Sequence, residues 1–216
     1  MKRAPFLLMP VILISVLSVR SVFSQGGEGD FVDVRTMIPG IIVDLKYAGT
    51  DNAFGEALYS SEKCLLRREV AIALKKVQER LEKRGLQLVI WDAYRPLSVQ
   101  RKMWQKVSDE RYVANPAKGS RHNRGAAVDV TLADSKGKLL HMPTDYDDFS
   151  EKAHRDYAGA DTTAAKNAKL LEEVMASEGF IPLPTEWWHF DYVSWEKYPV
   201  LDLIPGETTL PSGSQE

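Results

Sequence analysis

This 216-residue chain carries one cysteine, Cys64. No intramolecular disulfide can form, so a buried apolar core must hold the fold. A bound metal would have to rest on histidines and carboxylates rather than on thiolates. The composition permits such a core. Hydrophobic residues make up 44% and charged residues 27%, the balance of an ordinary globular protein and unlike collagen-like, coiled-coil or disordered chains. Lys and Arg number 28 against 30 Asp and Glu, which excludes a wholesale basic footprint for nucleic acid.

The amino terminus reads as separate from the fold. Lys2 and Arg3 precede an apolar run from Pro5 to Val19, closed by Arg20. That run of 15 residues is short of the ~20 that span a bilayer as a helix. With small residues at Val22 and Ser24 the pattern predicts a secretory signal over residues 1–24, removed after Ser24. Cleavage would leave 25 basic against 30 acidic residues. No cysteine ends the apolar run, so neither a lipid anchor nor stable membrane insertion is expected afterwards. Export without disulfides fits a bacterial envelope, giving a periplasmic or secreted protein. Residues 25–206 then form one domain, and residues 207–216 a flexible tail rich in Gly, Ser, Thr and Pro.

Within the domain, Leu66, Val70, Leu74, Val77 and Leu81 recur every three or four residues, predicting a helix over 61–84 that Gly85 stops. Leu86 to Trp91 reads as a short buried strand. Pro96 opens a second helix to about Val107. Gly119 to Gly125 is a polar loop, and Ala126 to Leu132 alternates as a strand does. A third helix is expected over 163–178 with Gly179 as stop. Pro182 and Pro184 break the chain before an aromatic strand at about 187–192. Helices and strands mix without a strict βαβ rhythm. The fold class is therefore α+β, a small, mostly antiparallel sheet with helices on one side.

Chemistry concentrates at a few of these positions. Asp129 sits mid-strand in an apolar segment, where a bare buried carboxylate would cost several kcal/mol unless paired or metal-bound. His122 lies seven residues upstream, where the Gly125 turn folds the chain back toward the strand. Glu186 and His189 form a Glu-x-x-His pair; the flanking prolines put Glu186 on a bend and His189 on the following strand. His122, Asp129 and His189 make two imidazoles and one carboxylate, a set suited to zinc with one position open. Glu186 near a water in that position would be the general base. Arg95, at the rigid corner before Pro96, suits either an oxyanion or an ion pair with Asp92. His141 and His154 read as surface residues, and Cys64 as a buried structural thiol.

These residues resemble the VanX-type D-alanyl-D-alanine dipeptidases, zinc peptidases related to the D,D-carboxypeptidases and the Hedgehog amino-terminal domain. The family pattern Ser-x-His-x-x-Gly-x-Ala-x-Asp stands as Ser120, His122, Gly125, Ala127 and Asp129. Glu-x-Trp-His stands as Glu186, Trp188 and His189, and Asp-x-Tyr-Arg-Pro as Asp92, Tyr94, Arg95 and Pro96. The block from Asp44 through Tyr47 and Asp51-Asn52 to Gly55 is similar to the dipeptidase branch. The resemblance runs from about Asp33 to Ile204. It departs where the family shows Phe after Asn52: here Ala53 intervenes before Phe54, implying a reshaped pocket wall.

The resemblance implies one zinc held by His122, Asp129 and His189, with Glu186 as catalytic base and Arg95 as oxyanion stabiliser. Ser120, Asp147 and Tyr47 would receive the substrate, Ser120 and Asp147 at its free amino group. It implies D-Ala-D-Ala as substrate and a Hedgehog/D,D-peptidase-like fold; the export signal then fits recycling of cell-wall dipeptide better than glycopeptide resistance, since an enzyme outside the cytoplasm does not easily deplete a cytoplasmic dipeptide pool. Two alternatives remain at this point. One is a D,D- or L,D-carboxypeptidase acting on longer wall peptides, the other a non-catalytic wall-binding module.

Overall fold

The alternation that begins at Ala126 does become a strand, and the rest of the sheet is laid against it. The structure is a computed structural model that describes residues 30–204. The expected signal segment and carboxy-terminal tail lie outside the described residues. Seven strands and four helices follow in chain order: β1 (Phe31–Asp33), α1 (Val34–Met37), β2 (Ile42–Val43), β3 (Leu65–Arg67), α2 (Arg68–Glu82), β4 (Leu86–Asp92), α3 (Leu97–Lys106), β5 (Ala127–Asp134), α4 (Thr162–Ala176), β6 (Phe180–Pro182) and β7 (His189–Tyr192). The main sheet has the order β2-β4-β5-β7-β6, and β1 with β3 makes a separate two-stranded ribbon. Only the β2–β4 pairing in the main sheet is parallel. The architecture is the α+β arrangement that the sequence predicts.

Burial follows the two periodicities. Val128, Val130 and Leu132 of β5 are sealed into a core with Leu88 and Ile90 of β4 and with Leu74, Val77, Leu171 and Met175 of the helices. Burying a leucine of this kind contributes about 2 kcal/mol by transfer from water alone. Asp161 caps α4 by accepting from the Thr163 and Ala164 amides at 2.9 and 3.3 Å, worth about 1 kcal/mol. A second, smaller cluster joins Val99 and Met103 of α3 to Tyr47, Leu58 and Val113. None of the helices among the described residues is long and apolar enough to cross a membrane.

Two boundaries differ from expectation. The helix predicted from Ser61 starts at Arg68. Leu66 fits the helical period, but Val32 pairs with it across the ribbon, and an extended backbone cannot also be helical. Cys64 therefore precedes β3 instead of heading a helix; its thiol is buried as expected. The aromatic strand begins at His189, because Trp187 and Trp188 belong to a turn.

One irregularity shapes the site. The β4–β5 register shifts between Ile90 and Asp92, so that Ile90 faces Val130 while Asp92 faces Asp129. This bulge sets two β4 residues against one of β5 and re-aims Asp92 toward the face that carries Asp129.

Candidate metal centre

Cross-strand pairing puts Asp129 of β5 directly opposite His189 of β7, and directly opposed residues share a sheet face. His122 reaches the same point from a 3-10 turn, His122–Arg124, closed by Gly125 at φ 68°. A Cβ on Gly125 would stand 2.3 Å from Phe31 Cε1, so this left-handed corner takes glycine alone. All three ligand candidates are nearly or fully buried: His122 is 3% exposed, Asp129 3% and His189 9%.

Their donor atoms form a tight triangle. His122 Nε2 lies 3.2 Å from His189 Nδ1 and 3.4 Å from Asp129 Oδ1, and His189 Nδ1 lies 2.9 Å from Asp129 Oδ1. A tetrahedral zinc with bonds of 2.0–2.1 Å has edges between ligand atoms of about 3.3 Å. The triangle therefore has the size of one face of such a tetrahedron. Among the described residues it is the group of His, Cys, Asp and Glu side chains able to hold a metal ion.

Each member is oriented by a further contact. His122 Nδ1 sits 2.7 Å from the Ala93 carbonyl and His189 Nε2 3.0 Å from Asp191 Oδ1. Both partners accept, so these nitrogens carry the hydrogens. Asp129 Oδ2 accepts from the Tyr146 hydroxyl at 2.7 Å. Such supports fix tautomer and ring angle in metal sites. Burial opposes ionisation of Asp129, yet the facing His122 and His189 hold it well below the usual carboxylate range. Burial also opposes charge on His189, but Asp129 and Asp191 push it up to about 10. Asp129 and Asp191 thus set two carboxylates about His189, a charge that a divalent cation at the triangle would balance.

A cleft of about 580 Å³ opens beside the triangle and is lined by all eight residues that the sequence singles out: Tyr47, Arg95, Ser120, His122, Asp129, Asp147, Glu186 and His189. Glu186 stands on the bend before β7, as its prolines suggest. Burial pushes its carboxyl up to about 7; His189 pulls the other way, while Asp129 and Asp147 add to the rise. Arg95 forms the ion pair with Asp92 that is one of its two readings. It donates to Asp92 Oδ2 from Nε at 3.1 Å and Nη2 at 2.6 Å, and to Gln100 Oε1 from Nη1 at 2.9 Å, while still bordering the cleft. Its backbone amide donates to the His122 carbonyl at 3.1 Å, tying that corner to the ligand loop.

Another part of the cleft wall pairs Tyr47 with Asp147. The Tyr47 hydroxyl donates to both Asp147 oxygens at 3.0 and 3.2 Å, and the Ala53 amide reaches Oδ2 at 3.1 Å. Asp147 adopts φ 58°, an uncommon conformation for a residue with a side chain. Burial raises its carboxyl to about 6 against those hydrogen bonds. Ser120 is buried, its Oγ accepting from the Asn123 amide at 3.3 Å.

The structure also supplies what the sequence did not single out. Asp191 and Tyr146 support the triangle, and Tyr59 hydrogen-bonds Asp92 behind Arg95. Asp191 carried a readable signal: it lies two residues from His189 on one strand, hence on the same face. Tyr146 and Tyr59 carried none, since their partners are distant in sequence. His154 is half-buried and lines the cleft, contrary to its expected place on the open surface, because the 3-10 turn ahead of it packs Ala153 into the core. His141 is exposed, as expected.

The sequence profile described as D-ala-D-ala dipeptidase matches residues 27–200. The chain belongs to the D-ala-D-ala dipeptidase family. It is similar to the D-alanyl-D-alanine dipeptidase of Escherichia coli, 38% identical over 172 residues, with 80% of this chain and 89% of that protein covered. The D-alanyl-D-alanine dipeptidase of Enterococcus faecalis is 30% identical over 193 residues, covering 80% and 95%. Among solved structures, the vancomycin-resistance D,D-pentapeptidase VanY in complex with Zn(II) matches with a TM-score of 0.42 and 18% identity, over 64% of this chain and 78% of that one. Membership makes the chain an enzyme of a metallopeptidase family. In this chain the departure after Asn52 has a visible form: Ala53 is exposed and offers its amide to Asp147, while Phe54 lines the cleft.

Proposed function

We propose that the protein hydrolyses D-alanyl-D-alanine to two D-alanines with one zinc ion held by His122, Asp129 and His189. The observation that carries this reading is the triangle of ligand atoms, sized for tetrahedral zinc, beside a cleft that also holds the half-buried Asp147 carboxylate. Bound there, zinc would lower the pKa of a water to about 7 and polarise the scissile carbonyl. Glu186, near neutrality in its affinity for a proton, takes one from the attacking water and passes it to the leaving amine. The Arg95 guanidinium, held by Asp92 and Gln100, offsets negative charge developing on the carbonyl oxygen. Asp147, with Tyr47 and Ser120, receives the substrate ammonium. A free amino terminus matched to the half-buried Asp147 carboxylate supports a dipeptide over a longer peptide, whose extra residues would leave Asp147 without its cation.

We further propose that residues 1–24 direct export and that the enzyme works in the periplasm. An enzyme there does not reach a cytoplasmic dipeptide pool, which favours recycling of wall-derived dipeptide over glycopeptide resistance. The test of the mechanism is Glu186→Ala. It should retain about one zinc per chain while turnover of D-Ala-D-Ala falls by ~10²- to 10⁴-fold. Near wild-type turnover with zinc bound would remove Glu186 from the reaction.

A further inference from the structure

Four hydrogen bonds fasten the segment 153–155 to the bend that carries Glu186. Two are backbone contacts: the Trp187 amide donates to the Ala153 carbonyl at 3.1 Å, and the Arg155 amide to the Pro184 carbonyl at 2.9 Å. The Arg155 side chain supplies the other two, from Nε to the Leu183 carbonyl at 2.8 Å and from Nη2 to the His189 carbonyl at 3.0 Å. Leu183 and His189 close the bend themselves, the Leu183 amide donating to the His189 carbonyl at 3.1 Å. One guanidinium therefore grips both ends of the bend 183–189, and Glu186 stands at its middle.

The placement is not that of a surface ion pair. The Arg155 side chain is 11% exposed, and its approach to Glu172 is a 3.4 Å contact from Nη1. The Phe190 ring lies 4.5 Å from the guanidinium carbon. A planar fork can serve two carbonyls at fixed angles, which a lysine ammonium cannot do.

We propose that Arg155 is a positioning residue for the reaction, holding the 183–189 bend so that the Glu186 carboxylate meets the water at the metal centre. The proposal rests on the general-base reading of Glu186. Misplacing a catalytic group by an ångström can cost as much as ~10²-fold, while groups that bind substrate are left in place.

The experiment compares Arg155→Lys in wild-type and Glu186→Ala backgrounds. It measures kcat and KM on D-Ala-D-Ala, zinc content and the thermal midpoint, with assays run well below that midpoint. In the wild-type background kcat should fall about 10- to 100-fold, with KM within about threefold and about one zinc retained per chain. In the Glu186→Ala background the same change should lower residual turnover by less than about twofold, because effects routed through one group are not additive. A kcat within about twofold of wild type, or an equal loss in both backgrounds, overturns the proposal. Glu186→Ala that turns over at the wild-type rate takes down the general-base reading and this proposal with it. If Arg155→Lys does not fold, Glu172→Gln decides: it removes the ion pair and leaves both carbonyl contacts. Unchanged kcat supports the clamp, and a fall of about 10-fold overturns it.

Discussion

The two ends of the cleft are built from different material. Two of the three ligand candidates at the metal end stand on the sheet, where Asp129 is paired on one side with Asp92, across the β4 bulge, and on the other with His189; His122 joins them from a 3-10 turn. The substrate end is assembled from connecting segments: Tyr47 on a 3-10 turn, Asp147 at a positive φ, and the Ala53 amide on an exposed loop. Sheet fixes ligand atoms to within tenths of an ångström, which coordination requires. Loops present hydrogen bonds that can be re-aimed by one residue, which suits selection among substrates. Chemistry should therefore fail abruptly when the sheet end is altered, and binding should drift when the loop end is.

Metal removal is the sharpest break. Dialysis against a chelator should lower turnover by more than ~10³-fold, and added zinc should restore it. His122→Ala should leave a protein that does not regain activity with zinc. Undiminished turnover in the chelator would show that the triangle is structural and would erase the contrast between the ends.

The next effect belongs to the loop end. Asp147→Asn should raise KM for D-Ala-D-Ala about 10-fold or more, with kcat changed much less, since a charge-assisted contact to the ammonium is lost. The same carboxyl sets a pH dependence. Its folded value is raised to about 6 from 3.8, so it is neutral below that point and charged above it. KM should fall as pH rises through about 6, and Asp147→Asn should abolish that limb. The sign for stability is opposite. Between 3.8 and about 6 the folded chain holds a proton that the unfolded chain has released, so this group's contribution weakens as pH rises. A KM unaffected by Asp147→Asn would place the ammonium elsewhere.

The smallest effect tests the departure from the family. Ala53 is exposed and Phe54 already lines the cleft. Ala53→Phe should therefore alter stability by no more than about 0.5 kcal/mol and KM by about threefold or less. A large gain in activity would mean that the loop can turn to bring position 53 inward.

The same division governs how much could be read without a structure. Asp129 stood out because β5 alternates cleanly and a carboxylate in such a strand demands a reason. The Gly125 turn and the prolines before His189 then located the other ligands. Across the sheet the reading weakens. The β4 bulge that brings Asp92 to face Asp129 leaves no mark on Leu86–Asp92 itself. Leu66 and Val70 suit a helix by spacing, and only Val32, distant in sequence, makes Leu66 a strand residue. Tyr146 and Tyr59 contribute through contacts that no local pattern encodes. The positions of Tyr47 and Asp147 came from family resemblance, because loop geometry is set by packing rather than by periodicity.

Because β5 and β7 both lie inside the sheet, flanked on each side, fraying of an edge does not separate Asp129 from His189. The spacing of these two ligand residues changes only when the central ladder opens, which is among the rarest fluctuations of a domain. Binding to the folded form alone adds RT ln(1 + [L]/Kd) to its stability. Here that increment would fall on the whole domain at once and lengthen its lifetime against proteases. A loaded chain would consequently outlast a stripped one under proteolysis, so the zinc supply would set how long the enzyme persists as well as whether it works.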